Sequence, residues 1–114
     1  MTDLNKLMAE KVMGWHSRTF KNMKSFPIWQ NSKNEDVIMV KDWNPLENIA
    51  QAMECLHFWL DQRIGRWYDL QGHSREIICN IFNRYPVPQS WRGNAKANQE
   101  GTAIVKAIAA AIGE

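Results

Sequence analysis

Six tryptophans in 114 residues constrain this chain more than any other feature. They stand at Trp15, Trp29, Trp43, Trp59, Trp67 and Trp91, spread along the whole sequence. A buried aromatic side chain removes about 150–250 Å² from water. A chain this short builds one modest core, and rings spaced so evenly do not all reach one cluster. Some tryptophans therefore belong to the core, and others to a surface, an interface or a ligand pocket, where a rigid ring buries area at little entropic cost. The hydrophobic share of 45% and the charged share of 23% fit a packed domain and argue against disorder.

The apolar pattern switches between helical and strand periods. Leu4, Leu7, Met8 and Val12 form one helical stripe, so a helix is expected over Thr2 to Met13, capped by Thr2 or Asp3 and stopped at Gly14. Trp15 to Asn34 is mixed. Phe26, Ile28 and Trp29 suggest a short extended piece whose Pro27 confines it to an edge or a strand start. Val37 to Val40 is a β-branched candidate strand. Asn44 as cap, Pro45 in the first position and Glu47 in the third predict a helix with its inner face on Ile49, Ala52, Met53, Leu56 and Leu60. Gly65 to Leu70 and Arg75 to Arg84 read as a hairpin, with Ile77, Cys79 and Ile81 on the core side.

Tyr85 to Gln99 reads as a long loop, because Pro86, Pro88, Gly93 and Asn94 favour turns. A last helix, from Asn98 or Glu100 to Ile112, packs Ala103, Ile104, Ala107 and Ile108 inward and ends at Gly113. The order is helix, strands, helix, strand hairpin, helix. It predicts a single α+β domain over residues 1–114, a small antiparallel sheet sandwiched by three helices.

The string Leu7-Met8-Ala9-Glu10-Lys11-Val12-Met13-Gly14-Trp15 resembles the end of the first helix in the phage ABA-sandwich domain family. Trp43 to Met53 resembles that family's capped middle helix, and Glu100 to Ala111 its Ala-rich last helix. Together these segments cover about a third of the chain. The resemblance implies a sheet sandwiched by helices and a phage or prophage origin. It implies no catalytic residue.

The chemistry-bearing residues form few patterns. His16, His57 and His73 have no second His or Cys at a metal-ligand spacing, so neither metal nor cofactor is expected. No nucleophile motif and no phosphate-cradling loop is present, and no enzyme is expected. Cys55 and Cys79 lie in apolar-patterned segments and read as buried free thiols of a reducing compartment. No stretch of 18 apolar residues and no leader-like start occurs, so a cytoplasmic protein without a membrane partner is expected.

Fourteen Lys and Arg against twelve Asp and Glu leave a net charge of +2, too little for nonspecific nucleic-acid binding. The longest basic stretch, Arg18 to Lys24, reads as a solvated loop. Three pairings of ring and charge remain: Trp91-Arg92, Arg66-Trp67-Tyr68 and Lys41-Asp42-Trp43. Rings beside cations can stack a nucleobase and hold its phosphate. Trp91 and Arg92 lead the candidates, followed by Trp43, Lys41, Tyr68 and Trp29.

The expectation is a non-enzymatic accessory protein, oligomeric, that sequesters a host nucleotide immune signal of the cyclic dinucleotide or cyclic ADP-ribose type. The alternative is an inhibitor or adaptor that binds a host or phage protein.

Overall fold

The computed structural model describes residues 3–19, 27–84 and 87–113. The chain is an α+β globule of three helices and two antiparallel sheets. Helix α1, Leu4–Leu7, widens into a π-helical turn over Met8–Val12. Strands β1 (His16–Arg18), β2 (Ile28–Gln30) and β3 (Asp36–Met39) form the first sheet. A 3-10 turn, Val40–Asp42, leads towards α2, Ile49–Asp61. Strands β4 (Arg66–Gly72), β5 (Glu76–Asn83) and β6 (Gln89–Lys96) form the second sheet, and α3, Glu100–Ala111, closes the chain.

The expected single sheet is thus two sheets of three strands. Each is a meander of sequence neighbours, and among the described residues no strand pairs across α2, which lies between the two sheets in the chain. The first sheet has strands of only three or four residues. Its β1 falls in the segment that read as mixed. Thr2, Lys24, Phe26, Tyr85 and Pro86, named in the sequence reading, lie outside the described residues.

Helix α1 starts as expected: Asp3 Oδ1 accepts from the backbone N–H of Asn5 and Lys6 at 3.0 and 3.2 Å. It stops at Gly14, whose φ of +73° suits a residue without Cβ. The π turn is marked by Met13 N–H bonding to Met8 O at 3.0 Å. The wider turn brings Ala9 inward beside Leu7, Met8 and Val12.

The start of α2 moves by one turn from its expected place. Asn48 is the cap, its Oδ1 accepting from Gln51 N–H at 3.2 Å. Asn44 instead opens a tight turn, and its carbonyl accepts from Glu47 and Asn48 N–H at 3.1 and 2.8 Å. Its side-chain oxygen takes a bond from Asn5 Nδ2 at 2.9 Å, so it is engaged elsewhere. Leu46 O accepts from Thr102 Oγ1 at 2.8 Å, which ties this turn to the start of α3. Ile49, expected on the inner face, is consequently exposed at the helix start, while Ala52, Cys55, Leu56 and Trp59 are buried.

The expected loop at Tyr85 to Gln99 contains strand β6, paired to β5 from Glu76↔Lys96 to Asn83↔Gln89. Gln, Ser, Gly and Asn give it poor strand propensity. The ladder to β5 holds it, and α3 packs across both strands. Gly93 is a contact point, since a Cβ there would overlap Ala103 O and Ala107 N. Helix α3 is buried on most of its surface, through Ala103, Ile104, Val105, Ala107, Ile108 and Ala109. Gly113 at φ +90° follows it.

Candidate functional site

Strand alternation sorts the second sheet into two faces. The register aligns Tyr68, Ile81 and Trp91, then Leu70, Cys79 and Gly93. Their face looks at the helices: His57 of α2 meets Tyr68 edge-on at 6.3 Å, and Trp59 meets Trp91 edge-on at 6.2 Å. The opposite face carries the rows Trp67–Phe82–Ser90, Asp69–Asn80–Arg92 and Gln71–Ile78–Asn94. None of these nine side chains is buried. This open face is the candidate site.

Its aromatic end is built by cross-strand pairing. Trp67 and Phe82 stand opposite each other, so their rings lie nearly parallel, at 14°, with centroids 5.1 Å apart. The Arg84 guanidinium sits 5.7 Å from the Trp67 ring centre. Trp67 nevertheless keeps 45% of its surface exposed. A recess of about 380 Å³ beside it is lined by Ile64, Gly65, Arg66, Trp67 and Arg84. Ile64, in the turn before β4, is 91% exposed.

Along the face the polar groups are held. Arg92 Nε donates to Asn80 Oδ1 at 3.0 Å, Gln71 Nε2 to Asp69 Oδ2 at 2.6 Å and Asn94 Nδ2 to Glu76 Oε1 at 2.8 Å. A planar ring laid against Trp67 meets an apolar stack with an arginine over the indole, which suits a base carrying an anionic group.

Arg66 belongs to the other face. Its Nη1 donates to Trp59 O at 2.6 Å, and its guanidinium lies 4.0 Å from the Trp59 ring centre. Burial, and then the charge of Arg63, lower its pKa.

The candidates from sequence do not form one site. Trp91 and Arg92 are strand neighbours and face opposite sides, so they cannot grip one ligand together; neither sits in a loop. Trp91 is half-buried against Trp59, and Tyr68 faces α2. Trp29 and Trp43 are core residues, 2% and 4% exposed. Lys41 is exposed in the 3-10 turn, whereas Trp43 is buried. Arg92 alone lies on the open face. Sequence reasoning missed Phe82 and Arg84, and named Trp67 only within the Arg66-Trp67-Tyr68 string without ranking it as a site residue. The Arg66-Trp67-Tyr68 string held the signal, but without a register nothing said which of its rings faces out.

Trp29 and Trp43 do line a cleft of about 300 Å³ with Asp3, Asn5, Lys6, Ser17, Pro27 and Val40. Trp43 is fixed there: its Nε1 donates to Asn5 O at 2.8 Å and its ring meets Trp15 edge-on at 4.8 Å. That holds it as a structural residue.

Cys55 and Cys79 are both buried free thiols. Burial pushes Cys55 up to about 12, with the Glu54 charge adding to it, and Cys79 up to about 11, with Asp69 adding to it. Both stay protonated and unreactive near neutral pH. Among the described residues no group of three His, Cys, Asp or Glu could hold a metal ion, and no helix is long and apolar enough to cross a membrane. Compared with protein-family models, with curated proteins and with solved structures, the chain finds no match, so its reading rests on the geometry above.

Proposed function

We propose that this chain is a non-enzymatic binding protein that takes a nucleotide-class ligand on the open face of the β4–β5–β6 sheet. The observation that carries the reading is the Trp67–Phe82 stack, 45% exposed at Trp67 and with the Arg84 guanidinium over the indole. A base stacks on the indole, and the guanidinium takes the phosphate. Stacking on an exposed aromatic is worth about 1–3 kcal/mol per base. Arg92, on the same face, would meet a second phosphate or ring. Cyclic dinucleotides and cyclic ADP-ribose derivatives join two planar bases to phosphates, and they are the first ligands to test. Sequestration of such a host immune signal is the role that a phage or prophage protein of this kind would have.

The test is a melting-temperature screen with these nucleotides on the wild type and on Trp67→Ala. A ligand present at 100 times its dissociation constant stabilises the native state by about 2.7 kcal/mol. The expected result is a clear shift with at least one nucleotide, recovery of that nucleotide intact, and loss of the shift in Trp67→Ala. A flat screen, a shift that survives Trp67→Ala, or a converted ligand overturns the reading.

A protein-binding adaptor is the second reading. It is favoured by an apolar recess of about 420 Å³ on α2, lined by Met13, Ala50, Met53, His57 and Phe58 among others. Methionine-lined surfaces adapt to protein partners. Phe58→Glu would then abolish partner capture, while Trp67→Ala would not.

A further inference from the structure

We infer that strand β4 is the pairing edge of a symmetric homodimer, in which two copies join their second sheets into one of six strands. The inference is independent of the nucleotide reading. It starts from the hydrogen-bond parity of the hairpin. His73 and Glu76 exchange both backbone bonds, at 2.7 and 3.4 Å, and Arg84 N–H bonds to Gly65 O at 2.9 Å. The two pairs lie one step beyond either end of the single unbroken register from Arg66↔Asn83 to Gly72↔Ile77 and continue it. In an antiparallel ladder such pairs alternate with non-bonded ones. The residues of β4 that bond inward to β5 are therefore Trp67, Asp69 and Gln71. Arg66, Tyr68 and Leu70 aim their N–H and C=O groups outward, and no described strand lies beyond them.

An unprotected edge of this kind is a template for pairing. Apart from the charges of Arg66 and Asp69, β4 lacks the devices that usually blunt an edge: it has seven residues, no proline and no break in register. Its exposed side chains include Trp67, Tyr68 and Leu70, all large and apolar. The other edge, β6, carries exposed Ser90, Arg92, Asn94 and Lys96 in their place. The edges of the first sheet have only three and four residues.

The occupant that fits is a second copy in antiparallel register. A two-fold axis at Asp69 would set two carboxylates directly opposite, which is unfavourable. An axis at Tyr68 avoids this. It bonds Tyr68 to its own copy and Arg66 to Leu70 of the second copy, using only the outward groups. It also sets Trp67 opposite Asp69 of the second copy. The axis is normal to the sheet, so both open faces lie on one side, and the two Trp67 rings become diagonal neighbours near its centre.

Sedimentation equilibrium and amide exchange on the full chain test this. The wild type is expected at twice the chain mass, with the amides of Arg66, Tyr68 and Leu70 protected. Tyr68→Pro removes an outward donor and leaves the β4–β5 bonds intact, and Leu70→Lys adds charge to the edge. Both are expected to be monomeric. Should the proline variant fail to fold, Leu70→Lys and wild-type exchange decide. A wild type at single-chain mass up to about 0.5 mM, a weak affinity for any interface, overturns the inference. So does a dimer in which these three amides exchange freely, since its contact then lies elsewhere.

Discussion

Gly93 in β6 lies directly under the backbone of α3 at Ala103, so close that a Cβ on Gly93 would overlap the Ala103 carbonyl oxygen. The same atom would meet Ala107 N and Lys106 Cβ. These neighbours are helix backbone and the root of a side chain, and they cannot rotate away. Gly93→Ala is therefore expected to push α3 off the sheet and destabilise the fold by about 3 kcal/mol, the upper range for overpacking a core. Urea unfolding monitored by circular dichroism measures it. A change under about 0.5 kcal/mol, ordinary for a surface site, would mean that α3 does not rest on Gly93.

Asn5 ties α1 to the turn before α2. Its Nδ2 donates to Asn44 Oδ1 at 2.9 Å, its Oδ1 accepts from Leu46 N–H at 3.1 Å, and its carbonyl takes the Trp43 indole. Asn5→Ala removes the two side-chain bonds and keeps the third. It leaves the Leu46 N–H without its partner, and the expected loss is about 1–3 kcal/mol. Asn44→Ala breaks one of the same two bonds. A double-mutant cycle with Asn5→Ala should give a coupling energy above about 0.5 kcal/mol, the size seen for residues in one network. Strict additivity would contradict the contact.

The two thiols give the fold an alkaline limit. Cys55 and Cys79 rise from the usual 9.0 to about 12 and about 11, first by burial and then by Glu54 and Asp69 respectively. The native pKa lies above the unfolded one. Their contribution is thus complete below pH 9 and is lost as pH rises, because the unfolded chain ionises its thiols first. Each thiol should remove about 1.4 kcal/mol of stability per pH unit across that window. Unfolding free energy measured from pH 8 to 11 should fall less steeply in Cys55→Ala than in the wild type. Parallel curves would show a Cys55 thiol with an ordinary pKa.

Much of the fold was legible in the sequence because local chemistry and tertiary packing agree there. Asp3 caps α1, Gly14 and Gly113 follow helix ends with positive φ, and Ile77, Cys79 and Ile81 alternate into the core. Where they disagree, the reading failed. The Gln89–Lys96 segment carries turn formers, yet a paired neighbour and a helix lying on Gly93 make it a strand. Asn44 has the chemistry of a cap, yet Asn5, distant in sequence, holds its side chain.

The site was half legible for a related reason. A ring beside a cation in sequence does not share a face with it on a strand. Arg92 and Trp67 remained on the open side, while Trp91 and Tyr68 fall on the helix side of the sheet. Trp29 and Trp43 were needed by the core.

That division separates two tryptophans by experiment. Trp91 packs edge-on against Trp59 on the helix side, whereas Trp67 stands 45% exposed on the open face. Trp91→Ala should cost about 3 kcal/mol, at the low end for a large core aromatic because the ring is only half-buried. Trp67→Ala keeps the core intact and loses one stacked pair, about 0.5–1.5 kcal/mol beyond its area. Ligand affinity should reverse the order: Trp67→Ala abolishes nucleotide binding, and Trp91→Ala, measured below its lowered melting temperature, retains it. Unfolding curves and calorimetric titration of both variants measure the two quantities. Binding that depends on Trp91 and ignores Trp67 would move the site to the helix side of the sheet.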